Sequence, residues 1–254
     1  MPLKFLPRSI LAIGLVCLIC GCAAQPSNPS FPITDQQADC DLHRIAAAPK
    51  PLDRPLVVIG GFMDPGIASA VVRTRFEGLT RDKRIIDVEL GTCLSFDDCR
   101  AKIIDAVERA FPGHDPSETT PVDVIGLSMG GLAARYSALP TDPAHRKRLH
   151  IARLFTISSP LNGAQLAKAA PDFLPLVGPM RPGSHLLREV NATQSDYPIF
   201  SYVRLGDNPV GVAYAAPPGH VAWWLSSPPL NSAHIGALVD PRILTDIARR
   251  RRIG

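Results

Sequence analysis

One serine stands at a spacing suited to nucleophilic chemistry. The run Gly126-Leu-Ser-Met-Gly-Gly131 places Ser128 between glycines two residues before it and two residues after it. The apolar run 122–127 in front of it predicts a buried strand, and residues 130–139 behind it predict a helix that ends before Pro140. A serine at so sharp a turn has its hydroxyl lifted out of the sheet, beside a helix N-terminus that favours a developing negative charge. The pattern therefore predicts an acyl-transfer nucleophile, and its alternative is a tight turn with Ser128 as a helix N-cap.

The elements that would position this serine follow a regular order from about residue 52. Short apolar runs predict strands, and amphipathic stretches between them predict helices. The strands are expected at 55–60, 84–90, 122–127, 150–158, 198–205 and 220–225, and the helices at 99–111, 130–139 and 243–250. The alternation predicts a mainly parallel sheet with helices on both faces, whose catalytic groups gather at the C-terminal ends of the strands. At 254 residues with 46% apolar content, the chain suits one sizeable core.

Two stretches resemble a known family. The run from Gly126 to Tyr136 resembles the nucleophile turn and following helix of α/β-hydrolase lipases and esterases, and Leu154-Phe-Thr-Ile-Ser-Ser-Pro-Leu-Asn-Gly-Ala164 resembles their next strand. The similarity spans 55–247, although only its motifs are specific. It implies the α/β-hydrolase fold and carboxylic-ester hydrolysis through an acyl-enzyme, with no metal and no organic cofactor. Leu127 replaces a common His, and Gly60-Gly61 replaces the usual His-Gly, which leaves substrate preference open.

The resemblance also implies an acid for the catalytic machinery. In this fold the chain order is serine, then acid, then histidine. Asp207 directly follows the predicted strand 198–205, where the family's acid lies, whereas Asp172 and Asp196 precede that strand. The alternative for Asp207 is a solvated loop carboxylate.

The same order selects the base among seven histidines. Five of them precede Asp207 and are excluded, namely His43, His114, His145, His150 and His185. His220 opens a predicted strand and would lie at its N-terminal end, away from the serine. His234 lies in a loop after that strand, in a stretch that resembles the family's histidine loop. His234 is therefore the predicted general base.

Two backbone amides are expected to hold the oxyanion. The residue after the nucleophile supplies one, here Met129. By resemblance the second is the N–H of Phe62, because Gly60-Gly61 before it permits close backbone approach. The alternative for these two glycines is a simple strand-ending turn.

The N-terminus predicts export and a lipid anchor. Lys4 and Arg8 precede an uncharged apolar run, 10–20, that is too short to span a bilayer comfortably. Ile19-Cys-Gly-Cys22 then resembles a bacterial lipobox, which implies lipidation of Cys22. The alternative is a plain signal peptide that happens to contain cysteines.

The sequence therefore divides into three parts. Residues 1–21 are expected to be a lipoprotein signal peptide, 22–50 a lipid-anchored tether and N-terminal segment, and 51–254 the α/β-hydrolase domain. The tether assignment rests on 23–32, which is rich in Pro, Ser and Asn. This organisation predicts a protein of the bacterial cell envelope that is held on a membrane and faces the periplasm.

The remaining cysteines fit an exported protein. Cys93 and Cys99 flank a short loop, which predicts a disulfide in an oxidising compartment, and pairing of Cys40 with either one stays open. No His or second Cys pair stands at zinc-ligand spacing. No metal site is therefore predicted.

Charge excludes one class of partner. The net charge of +4 falls to +2 once Lys4 and Arg8 are removed, so no nucleic-acid footprint is present. The run 249–252, four arginines, predicts a solvated helix end whose cations suit the helix dipole, with a membrane-headgroup contact as the alternative.

The segment 165–190 interrupts the strand–helix order. It is apolar but contains four prolines, so it would form either a small cap over a substrate pocket or a surface excursion packed on the body. The expected substrate is a small-molecule or lipid ester. The alternatives to hydrolysis are an acyltransferase or thioesterase on the same triad, and a non-catalytic lipid-binding lipoprotein.

Overall fold

The computed structural model describes residues 31, 33–141, 147–171, 173–227 and 232–251. The predicted signal peptide, the Cys22 lipidation site and most of the tether lie outside the described residues. Within these ranges, no helix is long and apolar enough to cross a membrane.

Six parallel strands form one sheet. They are β1 (Leu56–Ile59), β2 (Ile85–Val88), β3 (Val122–Leu127), β4 (Ile151–Ile157), β5 (Ile199–Arg204) and β6 (Trp223–Leu225). Every predicted strand is confirmed, most of them shortened at the ends. The spatial order β2-β1-β3-β4-β5-β6 reverses direction at β1. Such a reversal opens a crevice at the C-terminal ends of β1 and β3, because the connections leave these strands toward opposite faces.

Helices cover both faces of this sheet. They are α1 (Asp35–Ala47), α2 (Ile67–Glu77), α3 (Phe96–Ala110), α4 (Met129–Ser137), α5 (His185–Ala192), α6 (Ala233–Ala237) and α7 (Pro241–Arg250). The predictions for α3, α4 and α7 are confirmed. Helices α1, α2, α5 and α6 were not predicted from the sequence.

The sheet separates two apolar cores. Alternate side chains of β1 point to opposite faces, as the period of two requires. Val57 and Ile59 pack with α3 and α4, whereas Leu56 and Val58 pack with α2 and α7. Because β1 and β3 are buried on both faces, they appear in sequence as continuous apolar runs.

The packed body begins before residue 51, where the sequence analysis placed the start of the domain. Helix α1 lies on α7, and the Thr245 hydroxyl donates to the Ala38 carbonyl at 3.1 Å. Asp41 of α1 forms an ion pair with Arg249 of α7. The apolar side of α1 is short, with Ala38 and Ile45 as its buried apolar residues. The spacing of apolar residues in the sequence therefore did not indicate this helix.

The expected solvated helix end at the C-terminus is wrong for two of its arginines. Arg251 is buried and its Nε donates to the buried Asp123 at 3.2 Å. The Arg250 guanidinium lies 4.3 Å from the ring centroid of Trp223 and pairs with Asp246 at 2.7 Å. These side chains attach α7 to the sheet near the N-terminal ends of β3 and β6. Arg252 lies outside the described residues.

The predicted disulfide between Cys93 and Cys99 is not formed in this structure. Both residues are buried free thiols next to each other, Cys93 before the N-cap of α3 and Cys99 in its first turn. Burial raises the pKa of both thiols, so they are protonated in this reduced form. Cys40 is free and exposed on α1, on the opposite face of the sheet, so it does not approach either one.

The segment 165–190 packs mainly on the body. Leu176, Val177 and Met180 are buried in the same core as α4, which favours the packed-excursion alternative for this part of the segment. Phe173, however, is 81% exposed, and Leu166 also faces solvent. The hypothesis of a cap over the substrate pocket now rests on these two exposed side chains.

Candidate active site

The turn at Ser128 has a strained backbone. Its φ of 49° and ψ of −124° lie where L-residues are rare, between the last residue of β3 and the first of α4. The Ser128 amide donates to the Ile157 carbonyl of β4 at 2.9 Å, which holds the strained residue in place. The sequence-based prediction of a sharp strand-to-helix turn is confirmed.

The glycines of this turn are required by close backbone approach. A Cβ on Gly126 would lie 2.3 Å from the Gly131 Cα, and one on Gly130 would lie 2.4 Å from the Ile59 carbonyl oxygen. A Cβ on Gly131 would lie 2.3 Å from the Ser159 hydroxyl. Any side chain at these three positions would push α4 away from the sheet and displace Ser128 with it.

The structure brings the three predicted catalytic residues into one hydrogen-bonded row. His234 Nε2 lies 3.1 Å from Ser128 Oγ, and His234 Nδ1 lies 3.0 Å from each carboxylate oxygen of Asp207. An Nδ1–H that donates to Asp207 leaves Nε2 free to accept the serine proton. The separations in sequence, 106 and 27 residues, show that only the fold brings these groups together.

Asp207 is held as an ionised carboxylate. Its side chain is fully buried at the C-terminal end of β5, and its Oδ1 accepts the Val210 amide at 3.0 Å. Burial raises the pKa of Asp207, but hydrogen bonds and charge from His234, together with the Ser158 hydroxyl and the Val210 amide, outweigh it. The net pKa therefore lies below the ordinary value.

His234 lies on a short helix and not in the loop that the sequence predicted. It is the second residue of α6, whose N-cap Ser232 accepts the Ile235 amide. Five residues are too few for a helical pattern to show in sequence. The position is nevertheless after the C-terminal end of β6, as expected.

The predicted oxyanion donors lie beside Ser128. Met129 is the first residue of α4, so its amide has no partner within the helix. The loop that carries Phe62 touches the serine, because a Cβ on Gly61 would lie 3.1 Å from the Ser128 Cβ. Gly60 and Gly61 do end strand β1 in a turn, and this turn is also the loop that brings Phe62 beside Ser128.

Asp64 holds this loop, and the sequence analysis missed it. Its carboxylate accepts the amides of Gly66, Ala68 and Ser69, each at 3.1 Å, and so caps α2. Its own amide donates to the Gly61 carbonyl at 3.3 Å. An Asp ahead of a helical stretch is a helix-start signal that would have found both Asp64 and α2.

Ser158 is a second residue that the sequence analysis missed. It is buried at the end of β4 with a φ of 53°, and its hydroxyl contributes to the low pKa of Asp207. Positive φ at a serine leaves no signal in the sequence.

Solved structures share this architecture. A mature lipase of Bacillus licheniformis superposes with a TM-score of 0.53 at 15% identity, over 80% of this chain and 93% of that one. A metagenomic carboxyl esterase gives 0.50 at 15% identity, over 91% and 80%. A phospholipase of Legionella pneumophila gives 0.50 at 12% identity, over 78% and 60%. No family model matches the sequence, and neither does any curated protein.

The chain has the α/β-hydrolase fold.

Within this α/β-hydrolase fold, the second candidate histidine lies away from the catalytic row. His220 precedes β6 and is exposed, and its amide donates to the Pro217 carbonyl at 3.0 Å. It lies at the N-terminal edge of the parallel sheet, as the sequence analysis predicted, whereas Ser128 lies at the C-terminal edge. Among the residues that the structure describes, no group of three or more His, Cys, Asp or Glu side chains is arranged to hold a metal ion.

Proposed function

We propose that this protein is a serine hydrolase that cleaves carboxylic esters through an acyl-enzyme. The observation that carries the proposal is the row from Ser128 Oγ to His234 Nε2 at 3.1 Å and from His234 Nδ1 to Asp207 at 3.0 Å. Nucleophile, base and orienting acid within hydrogen-bond reach are the arrangement that serine acyl transfer requires. Lipases and esterases among the structural neighbours support the same class.

The reaction would take two steps. Ser128 Oγ attacks the ester carbonyl carbon while His234 Nε2 takes the hydroxyl proton, and Asp207 stabilises the imidazolium that forms. The amides of Met129 and Phe62 hold the negative oxygen of the tetrahedral intermediate. Its collapse expels the alcohol with the proton from His234. Water then attacks the acyl-enzyme by the same route and releases the carboxylic acid.

We further propose that the substrate is a lipid ester. Met63, Ile67, Leu94 and Ile235 are exposed apolar side chains that follow the C-terminal ends of β1, β2 and β6. They therefore lie at the same edge of the sheet as Ser128. Exposed apolar side chains that cluster around a reactive group mark a surface for apolar ligands.

Two alternatives differ from ester hydrolysis. An acyltransferase or thioesterase would use the same row of residues and differ only in acceptor or leaving group, and no contact in the site favours it. A non-catalytic lipid-binding protein would have no need for a buried, ionised Asp207 aligned on His234. Ester hydrolysis accounts for more of the geometry.

A fluorophosphonate probe tests the proposal. The wild-type protein should be labelled at Ser128, and Ser128→Ala should lose both labelling and hydrolysis of nitrophenyl esters while its thermal transition stays nearly unchanged. Ser137→Ala, a buried serine of α4 whose hydroxyl bonds the Ala133 carbonyl, is the matched control and should keep labelling. Hydrolysis that persists in Ser128→Ala would show that another nucleophile acts.

We also propose that Cys22 is lipidated and anchors the protein to a membrane of the cell envelope. The support is the sequence Ile19-Cys-Gly-Cys22 after a basic and apolar start. Cys22→Ala should move the protein from the membrane fraction to the soluble fraction of fractionated cells, whereas Cys40→Ala should not. A Cys22→Ala protein that stays with the membranes would overturn the anchor.

A further inference from the structure

A buried arginine of α4 has no anionic partner among the described residues. The Arg135 residue is 4% exposed. Its Nη1 donates to the Asn191 side-chain oxygen at 2.6 Å and its Nη2 to the Val190 carbonyl at 3.1 Å. Its Nε is buried and makes no hydrogen bond with any described residue. Both observed partners are neutral, so the guanidinium charge is incompletely compensated.

The surroundings compensate this charge only in part. Val190 and Asn191 belong to the C-terminal turn of α5, which supplies a partial charge of about −0.5 at most. Tyr197 is the other polar neighbour, and burial raises the pKa of its phenol, so it stays neutral. A buried cation without a full counter-charge is costly, because its hydration is lost without replacement. Burial accordingly lowers the pKa of Arg135.

Arg135 lines a cavity of about 270 Å³. Besides Arg135, the polar side chains around it are Asn191, Thr193, Gln194, Ser195, Tyr197 and His220. Hydroxyl, amide and imidazole groups are the donors that proteins offer to oxyanions. The lining contains no carboxylate. Asp196, between the wall residues Ser195 and Tyr197, pairs with Arg148 at 3.4 Å.

The cavity is separate from the proposed ester site. Its lining includes the residues just before β5 and β6, such as Pro198 and Pro218, which places it at the N-terminal edge of the sheet. Ser128 lies at the opposite edge, and Arg135 is two turns further along α4, about 10 Å along the helix axis. The row of catalytic residues makes no use of Arg135 or His220.

We propose that this cavity binds a small oxyanion, a carboxylate or phosphate group, whose charge pairs with Arg135. The planar guanidinium suits both groups because each presents two oxygens at matching spacing. The hydroxyls of Ser195 and Tyr197 supply further donors, and His220 stands at the exposed side of the cavity. This gives a role to the histidine that the triad leaves unused.

Thermal unfolding of the full chain tests the site directly. Melting temperature is measured against rising sodium phosphate, sodium acetate and glycerol 3-phosphate, each compared with sodium chloride at equal ionic strength. A ligand that binds only the folded state raises the melting temperature in a saturable way. We expect such a rise with at least one oxyanion and none with chloride. Preference for glycerol 3-phosphate over phosphate would indicate a lipid headgroup, and the reverse a free anion.

A spectroscopic readout locates the binding. The imidazole signals of His220 should shift in NMR titrations with the same oxyanion, with the same dissociation constant as the thermal shift, whereas those of His43 on α1 should not move. A thermal shift that is equal in chloride, or that never saturates, would show that Arg135 is only a structural cap of α5 and would overturn the proposal.

Substitutions of exposed side chains in the cavity wall test oxyanion binding without disturbing the fold. Gln194→Ala and His220→Ala change exposed side chains and should each weaken oxyanion binding several-fold while fluorophosphonate labelling of Ser128 is unchanged. Arg135→Lys keeps the positive charge but loses the planar guanidinium, and should weaken oxyanion binding at least tenfold. Arg109→Ala, an exposed arginine of α3, is the matched control and should bind as the wild type does. Unchanged binding in all three cavity variants would refute the site.

Discussion

Arg204 and Asp240 form a buried ion pair in which Arg204 Nε donates to Asp240 Oδ2 at 2.7 Å. Arg204 ends β5, three residues before the triad acid, and Asp240 is the N-cap of α7, six residues after the base. The pair therefore joins the two chain segments that carry Asp207 and His234. Arg242 donates to the same carboxylate at 2.8 Å and also pairs with Asp35 at 2.9 Å, so two acids and two arginines meet here.

This ion pair predicts how stability depends on pH. Burial raises the pKa of Asp240, but hydrogen bonds and charge from Arg242 and Arg204 outweigh it and hold the pKa below its ordinary 3.8. The unfolded chain thus binds more protons than the folded one at low pH. The stabilisation from Asp240 is fully present above about pH 4 and is lost as the pH falls through its lowered folded-state pKa. Asp207 acts in the same direction.

Urea unfolding between pH 7 and pH 2.5 measures this effect. Asp240→Asn keeps a helix cap but removes the charge, so we expect a loss of about 3–5 kcal/mol at pH 7 and a shallower decline below pH 4. Asp82, whose pKa is held at about 2 chiefly by its hydrogen bond to Arg84, stays in the variant, so some decline should remain. An equally steep decline in Asp240→Asn would contradict the assignment.

The nucleophile turn should tolerate no added side chain. Gly130→Ala would put a methyl group 2.4 Å from the Ile59 carbonyl, so we expect about 1–3 kcal/mol of destabilisation and a large loss of ester hydrolysis. Gly178→Ala is the matched control, because a Cβ there meets nothing within 4 Å. It should change the free energy of unfolding by no more than about 0.5 kcal/mol. Equal effects in the two variants would mean that the close approach at Gly130 is unimportant.

The two late histidines should differ sharply in activity. His234→Ala removes the group 3.1 Å from the serine hydroxyl and should lower kcat by several orders of magnitude. His220→Ala lies at the other edge of the sheet and should cost little. Nitrophenyl ester hydrolysis by both variants decides this, and the reverse ranking would overturn the assignment of the base.

The sequence predicted those parts of the site that depend on local pattern. The Gly126–Gly131 turn is contiguous, and the chain order of the family then leads to Asp207 and His234. The pairing of Arg251 with Asp123 could not be predicted from the sequence, because the two residues are 128 positions apart and no local pattern links them. The position of Asp64 ahead of a helical stretch is a local signal that the sequence does contain. Its role in holding the loop after β1 against Ser128 depends on the fold.

The thiols provide a test of the redox compartment. Cys93 and Cys99 are adjacent and buried, so in reduced native protein they should resist alkylation while Cys40 reacts. In protein recovered from an oxidising compartment we expect the disulfide, so that unfolding without reductant exposes Cys40 as the one reactive thiol among these three. Mass spectrometry counts the alkylated sites. Three alkylated cysteines after unfolding would show that the pair stays reduced.

The exposed part of 165–190 should govern chain-length preference if it covers the substrate. Deleting Phe173 to Met180 would also remove Leu176, Val177 and Met180 from the core, so loss of folding would obscure the result. Phe173→Ser is the sharper change, because this side chain is 81% exposed and its loss leaves the core intact.

Activity of Phe173→Ser is compared on short and long nitrophenyl esters. We expect kcat/KM to fall several-fold on long chains and little on short ones, because a long acyl chain gains contact with the ring and a short one does not reach it. Val221→Ser, equally exposed but at the N-terminal edge of the sheet, is the control and should change neither. Equal losses on both esters in Phe173→Ser would assign the segment a structural role only.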